Sequence, residues 1–296
     1  MNKYIIFIIL LSVAVFFSGC NSNEREIYES IIADSVNDEH SVSPEVEYWN
    51  GMYFDKGDMT DQSCVVLDNL YHGAYAKSII DNQDSYTTDI YRTEDGVEFG
   101  LRSDTGELAY INLMNNEFFD TQPFLPDISD PLDSAIAFST EIADEYVDNI
   151  SDYTMIVEEP RISYKEKDGK NYEITYYVIT FAKKINGYFS SDYISVKVTS
   201  KGALASIKMG DINAFEDVEV DFETSKIDQS ISNKVRSVYE KDGLKIKQTY
   251  LRDQKIVLTP NGEIAMDSFV GVDIIDSDGE YSTGVSILTV LKKKNK

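Results

Sequence analysis

The chain has 296 residues, enough for two domains of ordinary size or one elongated domain of repeated units. Its hydrophobic content of 42%, with 12% aromatic residues, is ample for a core and excludes wholesale disorder. The formal net charge of -25, from 27 basic and 52 acidic residues, argues against nucleic-acid binding, because phosphate backbones are bound by clustered Lys and Arg.

The first twenty residues have the layout of an export signal. Lys3 supplies a positive start, and Ile5 to Phe17 form an apolar run that is too short for a helix across a bilayer core of ~30 Å. Two small residues precede Cys20, and the chain then becomes abruptly polar. This layout predicts a cleaved signal peptide over residues 1–19.

Phe17-Ser18-Gly19-Cys20 resembles the lipobox of bacterial lipoproteins. The resemblance implies cleavage before Cys20, lipidation of its thiol with chains such as palmitate, and anchoring at the outer face of a bacterial cell membrane, which we expect to be that of a Gram-positive organism. Two acyl chains hold a protein there, because each buried CH2 contributes ~0.8 kcal/mol. The alternative is an ordinary secretory signal with a chance cysteine.

The polar, acidic residues 20–45 predict a tether. With Cys20 acylated, Cys64 is the only other cysteine, so no intramolecular disulfide is expected. Because Cys64 lies in an apolar run, we expect a buried, unreactive thiol.

Three further units follow along the chain. Residues 46–127 predict a helical stretch around Val65 to Ile80 and then three strands, at Ser85 to Arg92, Val97 to Arg102 and Glu107 to Leu113. The glycine turns between these strands predict hairpins.

Residues 128–222 and 223–296 each predict a helix followed by strands. Asp130 and Pro131 suit the start of the first helix, which extends to Ile150. A capping-box-like segment at Ser225 begins the second helix, and Gly243 ends it. The predicted strands are 153–158, 161–166, 172–184, 191–199 and 203–209 in the first unit, and 244–251, 254–259, 263–274 and 281–291 in the second.

This order predicts an α+β fold of helix-plus-antiparallel-meander units, two or three in tandem. The strand Tyr177-Val178-Ile179-Thr180-Phe181, the strand from Asp192 to Val196 and the glycines Gly187 and Gly202 resemble PepSY-like modules and the YcdB/YcdC group. The resemblance implies a cystatin-like helix on a meander. It also implies a non-enzymatic envelope module, which in some relatives restrains a peptidase or senses the cell surface. It implies no functional residue.

The sequence shows no constellation of catalytic or metal-binding residues. The two histidines are His40, in the tether, and His72, whose only sequence-near nucleophile is Cys64. A surface histidine is the favoured interpretation of His72, over a Cys-His dyad. No spacing fits zinc and no phosphate loop is present, so we predict no catalytic site, metal or cofactor.

Acidic and aromatic clusters leave alternatives open. The densest acidic turn contains Asp273, Asp276, Asp278, Gly279 and Glu280. It favours a hairpin turn over a Ca2+ loop, because apolar residues occupy the first and twelfth ligand positions. The run Tyr172, Tyr176, Tyr177 and Phe181 favours cross-strand packing over a binding strip for glycan or peptide.

Together these features predict a lipid-anchored, non-enzymatic extracytoplasmic accessory protein. It would contact the membrane through its N-terminal lipid, and would bind an envelope protein or peptide through a strand edge or a helix–sheet groove. The alternatives are a carboxylate-dependent envelope hydrolase and a structural spacer or assembly lipoprotein.

Overall fold

One large mixed sheet of fifteen strands dominates the computed structural model. The structure describes residues 28–32, 52–80, 86–114, 130–167, 170–215, 218, 220–240, 243–259, 262–276 and 279–293. In these residues two helices accompany the sheet, together with one 3-10 turn at Ile150–Asp152 and a small two-stranded sheet.

Seven strands precede the first helix. They are β1 (Tyr28–Ile32), β2 (Met52–Phe54), β3 (Gln62–Val66), β4 (Asn69–Ile80), β5 (Thr87–Arg92), β6 (Glu98–Arg102) and β7 (Leu108–Asn112). The last three confirm the predicted meander. β1 lies within the predicted tether and pairs in parallel with a C-terminal strand.

Helix α1 (Pro131–Tyr146) opens the middle of the chain. The strands that follow are β8 (Tyr153–Val157), β9 (Arg161–Lys167), β10 (Lys170–Ile185), β11 (Tyr188–Thr199), β12 (Leu204–Met209) and β13 (Val220–Asp221). The first five lie where the sequence predicts strands.

Helix α2 (Thr224–Tyr239) opens the C-terminal part. It is followed by β14 (Lys245–Leu258), β15 (Ile264–Asp276), β16 (Gly279–Val290) and β17 (Lys292–Lys293). β17 pairs with β13, so the basic C-terminal segment forms a strand with an acidic one.

The large sheet branches at β11. Along one edge β11 pairs with β10. Along the other edge it pairs with β14, in parallel, at Phe189 and Ser190, and with β12, antiparallel, from Ile194 to Val198. The N-terminal strands β7, β6, β5 and β4 continue from β12, and β15, β16 and β1 continue from β14. β11 therefore joins the two halves of the molecule.

Each helix covers part of this sheet. α1 packs against β10 and β11, and its buried residues Ala135, Ile142 and Ala143 join a core that includes Ile179 and Phe181. α2 contacts β14 and β16, and places Ile227, Ile231 and Val235 in a second core. The main contacts of α1 with the sheet are those with β10 and β11, and of the β8 residues Tyr153 joins the same core.

The predicted fold of separate helix-plus-antiparallel-meander units is wrong. The strands belong to one continuous mixed sheet, and no helix occurs in the described part of residues 46–127. Alternation of apolar side chains specifies that a segment is a strand, but it does not specify which strand will pair with it. The parallel β11–β14 pairing and the β7–β12 pairing fuse segments that the sequence separates into units.

The helix predicted around Val65 to Ile80 is also wrong, because this stretch lies in the β3–β4 hairpin. Leu67 and Asp68 form its turn with φ of 49° and 62°. Two-residue hairpin turns with positive φ usually carry Asn-Gly or Asp-Gly. The turn therefore has no recognisable sequence signal, and the two strands resemble one apolar segment.

The helix starts were predicted with mixed success. The Asp130 side chain accepts hydrogen bonds from the Leu132 and Asp133 amides, which confirms it as the N-cap of α1. The N-cap of α2 is Glu223, without a side-chain capping bond, so the predicted cap at Ser225 is wrong.

Candidate functional site

The predicted lipidation residue Cys20 and most of the tether lie outside the described residues. His40 and Asp278 lie outside them as well, and the remaining sequence candidates fall on described strands.

Cys64 and His72 do not form a dyad. In the β3–β4 hairpin Cys64 is opposite Tyr71, and His72 is opposite Ser63. Successive side chains of a strand point to opposite faces, so Cys64 and His72 project away from each other. Burial raises the pKa of the Cys64 thiol to about 11, which leaves it protonated and unreactive at neutral pH.

His72 instead lies beside Ser63 and Asp61 on the outward face of the hairpin. The Ser63 hydroxyl is 2.9 Å from His72 Nδ1, and Asp61 Oδ2 is 3.7 Å from His72 Nε2. A serine hydrolase uses the opposite arrangement, with the acid hydrogen-bonded to Nδ1–H and the serine at Nε2. The His72 and Asp61 side chains are 64% and 59% exposed, so neither is shielded from water.

Two buried carboxyl groups meet at the branch of the sheet. Asp192 and Asp211 are 0% and 1% exposed. Tyr153 donates a hydrogen bond of 2.6 Å to Asp192 Oδ1, and Ser191 donates one of 2.7 Å to Asp211 Oδ2. Burial raises the pKa of Asp192 against the Tyr153 hydrogen bond, and the nearby Asp211 raises it further.

This pair does not provide a hydrolase site, because a substrate atom cannot contact carboxyl groups so completely buried. Asp192 lies on β11 between the residues that pair with β14 and those that pair with β12. Here the amides of Gly210 and Asp211, in the loop after β12, donate hydrogen bonds to β11 carbonyl groups on either side of Asp192. We interpret the pair as part of this joint.

The acidic turn near Asp273 belongs to the β15–β16 hairpin, in which Asp276 is opposite Gly279. Ser282 and Gln248 donate hydrogen bonds to Asp273 and hold its pKa below the ordinary value. Within the described ranges no group of three or more His, Cys, Asp or Glu is placed to hold a metal ion.

Of the predicted aromatic run, Tyr177 and Phe181 lie in the core with α1, which confirms packing for these two. Tyr176 lies on the other face, with the Lys197 ammonium 4.7 Å from its ring centroid. The side chain of Tyr172 is outside the described residues.

A further feature, which sequence analysis did not identify, is an exposed apolar edge formed by β8 and β9. Met155 and Val157 of β8 are 45% and 38% exposed, and Ile162 and Tyr164 of β9 are 50% and 70% exposed. We call these four side chains the apolar edge. The long strand β10 pairs with β8 over its second half and with β9 over its first half.

All four side chains lie on the helix side of the sheet. Val157 is opposite Ile179 and Met155 is opposite Phe181, and directly opposed residues share a face. Ile162 is opposite Thr175 and Tyr164 is opposite Glu173, and these two β10 residues share a face with Ile179 and Phe181 because side chains alternate along the strand. The apolar edge therefore continues the core face beyond the area that α1 covers.

The outer backbone of β8 is also available. The Glu158 amide donates to the Val178 carbonyl at 3.1 Å. Because backbone groups alternate in direction along an antiparallel strand, Met155 and Val157 direct their N–H and C=O groups away from β10. In the described part of the chain, β8 pairs with β10 alone.

β8 lacks the features that protect other edges. In β14 ten residues precede the short pairing with β11, but these include Lys245, Lys247 and Arg252 and two bulges against β15. Charges and bulges on an edge strand prevent pairing with other chains. The sequence Tyr-Thr-Met-Ile-Val of β8 has neither, which is typical of an edge that accepts a partner strand.

No protein-family model, no curated protein and no solved structure matches this chain. In the described residues no helix is both long and apolar enough to span a membrane.

Proposed function

We propose that this chain is a non-enzymatic accessory lipoprotein on the outer face of a bacterial membrane, and that it binds an extended segment of an envelope protein or peptide by strand addition to β8. The observation that carries this proposal is the unprotected edge of β8, where outward backbone groups coincide with exposed apolar side chains. Strand addition uses backbone hydrogen bonds for affinity and alternate side chains for specificity.

The placement at the membrane rests on the lipobox-like sequence at Cys20 and the apolar run before it. Because β1 begins at Tyr28 and pairs with β16, residues 20–27 are the link between the lipid and the folded part, and as a flexible coil they would reach roughly 15 Å on average. We expect Cys20→Ser to abolish acylation and membrane retention. Normal cleavage followed by unchanged retention of this variant would contradict the anchor.

The partner is expected to contact β8 in living cells. A photoreactive amino acid at Met155 should crosslink a discrete protein or peptide in intact cells. The same amino acid at Leu251, which is 50% exposed on β14, is the matched control. Equal crosslinking patterns at the two positions would contradict a specific edge.

Two substitutions at Met155 distinguish the contribution of its side chain to binding from that of its backbone N–H. Met155→Ala removes apolar contact but keeps the outward N–H, so we expect about a fivefold weaker complex for ~1 kcal/mol of lost burial. Met155→Pro also removes the N–H, which proline lacks, without removing a bond to β10. With the photoreactive amino acid moved to Val157, which is 38% exposed, the crosslinked partner should be lost with Met155→Pro, and equal effects of the two variants would refute strand addition.

A further inference from the structure

The chain segment that contains β8 is strongly acidic, although Arg161 pairs with Glu158 and Lys183 of β10 lies opposite Tyr153. From Asp130 to Pro160 the chain contains nine acidic residues and no Lys or Arg. One is the N-cap of α1, four lie in α1, two lie between α1 and β8, and two follow β8. In contrast, β14 mixes both signs along its length.

The acids of α1 face solvent. Asp133, Glu141, Asp144 and Glu145 are all exposed, on a helix that packs its other side against β10 and β11. Asp152 is also exposed and immediately precedes β8, so exposed acids lie both on α1 and next to the apolar edge.

This arrangement opposes the stability of α1. The C-terminus of a helix carries partial negative charge, so Asp144 and Glu145 in its last turns are unfavourable there. The last turn has no basic residue, and Glu141 is three and four positions before these two acids, where like charges repel. These acids therefore do not stabilise the end of the helix, and their exposed side chains are available for a contact outside it.

We infer that the segment recognised by the β8 edge is cationic, with apolar residues alternating with Lys or Arg in an extended conformation. Apolar side chains on one face would cover the apolar edge, and the basic side chains would lie near the acids of α1 and of the residues flanking β8. An anionic lipid surface would be repelled by the same acids. This inference rests on the proposed function, since it describes the partner of the same edge.

The test uses the full-length protein in nonionic detergent and two labelled ten-residue peptides, one alternating Val with Lys and one alternating Val with Ser. Fluorescence anisotropy in 0.1 M NaCl should give a dissociation constant about tenfold lower for the Lys peptide. At 1 M NaCl, where screening acts within ~3 Å instead of ~10 Å, the two constants should converge.

A triple variant tests the acids directly. Glu141→Gln, Asp144→Asn and Glu145→Gln together should remove the preference for the Lys peptide. A matched variant, with Asp228→Asn, Glu240→Gln and Asp253→Asn on exposed positions of the C-terminal part, changes the net charge equally and should keep it.

The outcomes distinguish this inference from the proposed function. If the wild type binds both peptides equally at low salt, the cationic partner is refuted and strand addition stands. If the matched variant loses the preference as fully as the triple variant, overall charge rather than α1 is responsible, and the inference is overturned. If neither peptide binds, both the cationic partner and the proposed strand addition to β8 are refuted.

Discussion

The joint between the two halves of the sheet depends on Gly210, and substituting this residue gives the sharpest test of the fold. A Cβ atom added at Gly210 would lie 2.0 Å from the Ser191 carbonyl oxygen and 2.6 Å from a Tyr193 ring carbon. Two backbone bonds run through the same place. Gly210 N–H donates to the Tyr193 carbonyl at 2.8 Å, and Asp211 N–H donates to the Ser191 carbonyl at 2.7 Å.

Gly210→Ala must therefore displace this loop from β11. Losing two hydrogen bonds costs ~1 kcal/mol each, and overpacking a closed site costs ~1–3 kcal/mol. We expect the free energy of unfolding to fall by about 3–5 kcal/mol, measured by urea denaturation followed by circular dichroism.

A glycine with open space around it provides the control. Gly106 has φ of 76° and no neighbouring atom within 4 Å of an added Cβ, so Gly106→Ala should cost only the ~1 kcal/mol of a left-handed backbone. The reasoning is refuted if Gly210→Ala destabilises the protein no more than Gly106→Ala.

Three further predictions concern single side chains. Burial raises the pKa of Asp192, so this carboxyl favours the folded state most below its unfolded pKa of ~3.9 and opposes it increasingly as pH rises above that value. In urea titrations Asp192→Asn should therefore gain stability relative to wild type between pH 4 and pH 7. A constant difference over about this range would contradict a raised pKa. Glu145→Lys places a cation at the C-terminal end of α1, so it should raise the free energy of unfolding by ~0.3–1 kcal/mol and weaken binding of the Lys peptide. If this variant instead raised both the free energy of unfolding and the affinity for the Lys peptide, Glu145 would have no role in binding. The pKa of the Cys64 thiol is about 11 instead of the ordinary 9.0, so Cys64 should react with iodoacetamide at pH 8 about 100-fold more slowly than an exposed cysteine. Reaction at the rate of a model thiol would show that burial does not protect Cys64.

Strand positions were predictable from the sequence where turns carry a signal. The Glu94-Asp95-Gly96 and Asp104-Thr105-Gly106 turns locate β5, β6 and β7 correctly, because glycine at those positions has φ of 89° and 76°. The β3–β4 hairpin was missed because Leu67 and Asp68 adopt the same backbone conformation without glycine.

The apolar edge was not predictable in this way. In the sequence, Met155 and Val157 belong to a short alternating strand like many others, and such residues are usually buried. Their exposure follows from the position of α1, which packs mainly on β10 and β11 and leaves Met155 and Val157 exposed. The one sequence signal that could have indicated the site is the absence of charge in β8 within a chain so rich in acids.

The sequence by itself determined several local properties of this protein: the acidic character, the cap of α1 at Asp130 and the alternation of most strands; the export signal ending at Cys20 stays a prediction. These follow from interactions between residues close along the chain, which leave a pattern that can be recognised. Only the tertiary structure decided that β11 pairs with both β12 and β14 along one edge, that Asp192 is buried at this branch, and that β8 pairs with β10 alone among the described strands. Strand pairing and helix coverage are contacts between distant segments, and alternation alone is compatible with many pairings.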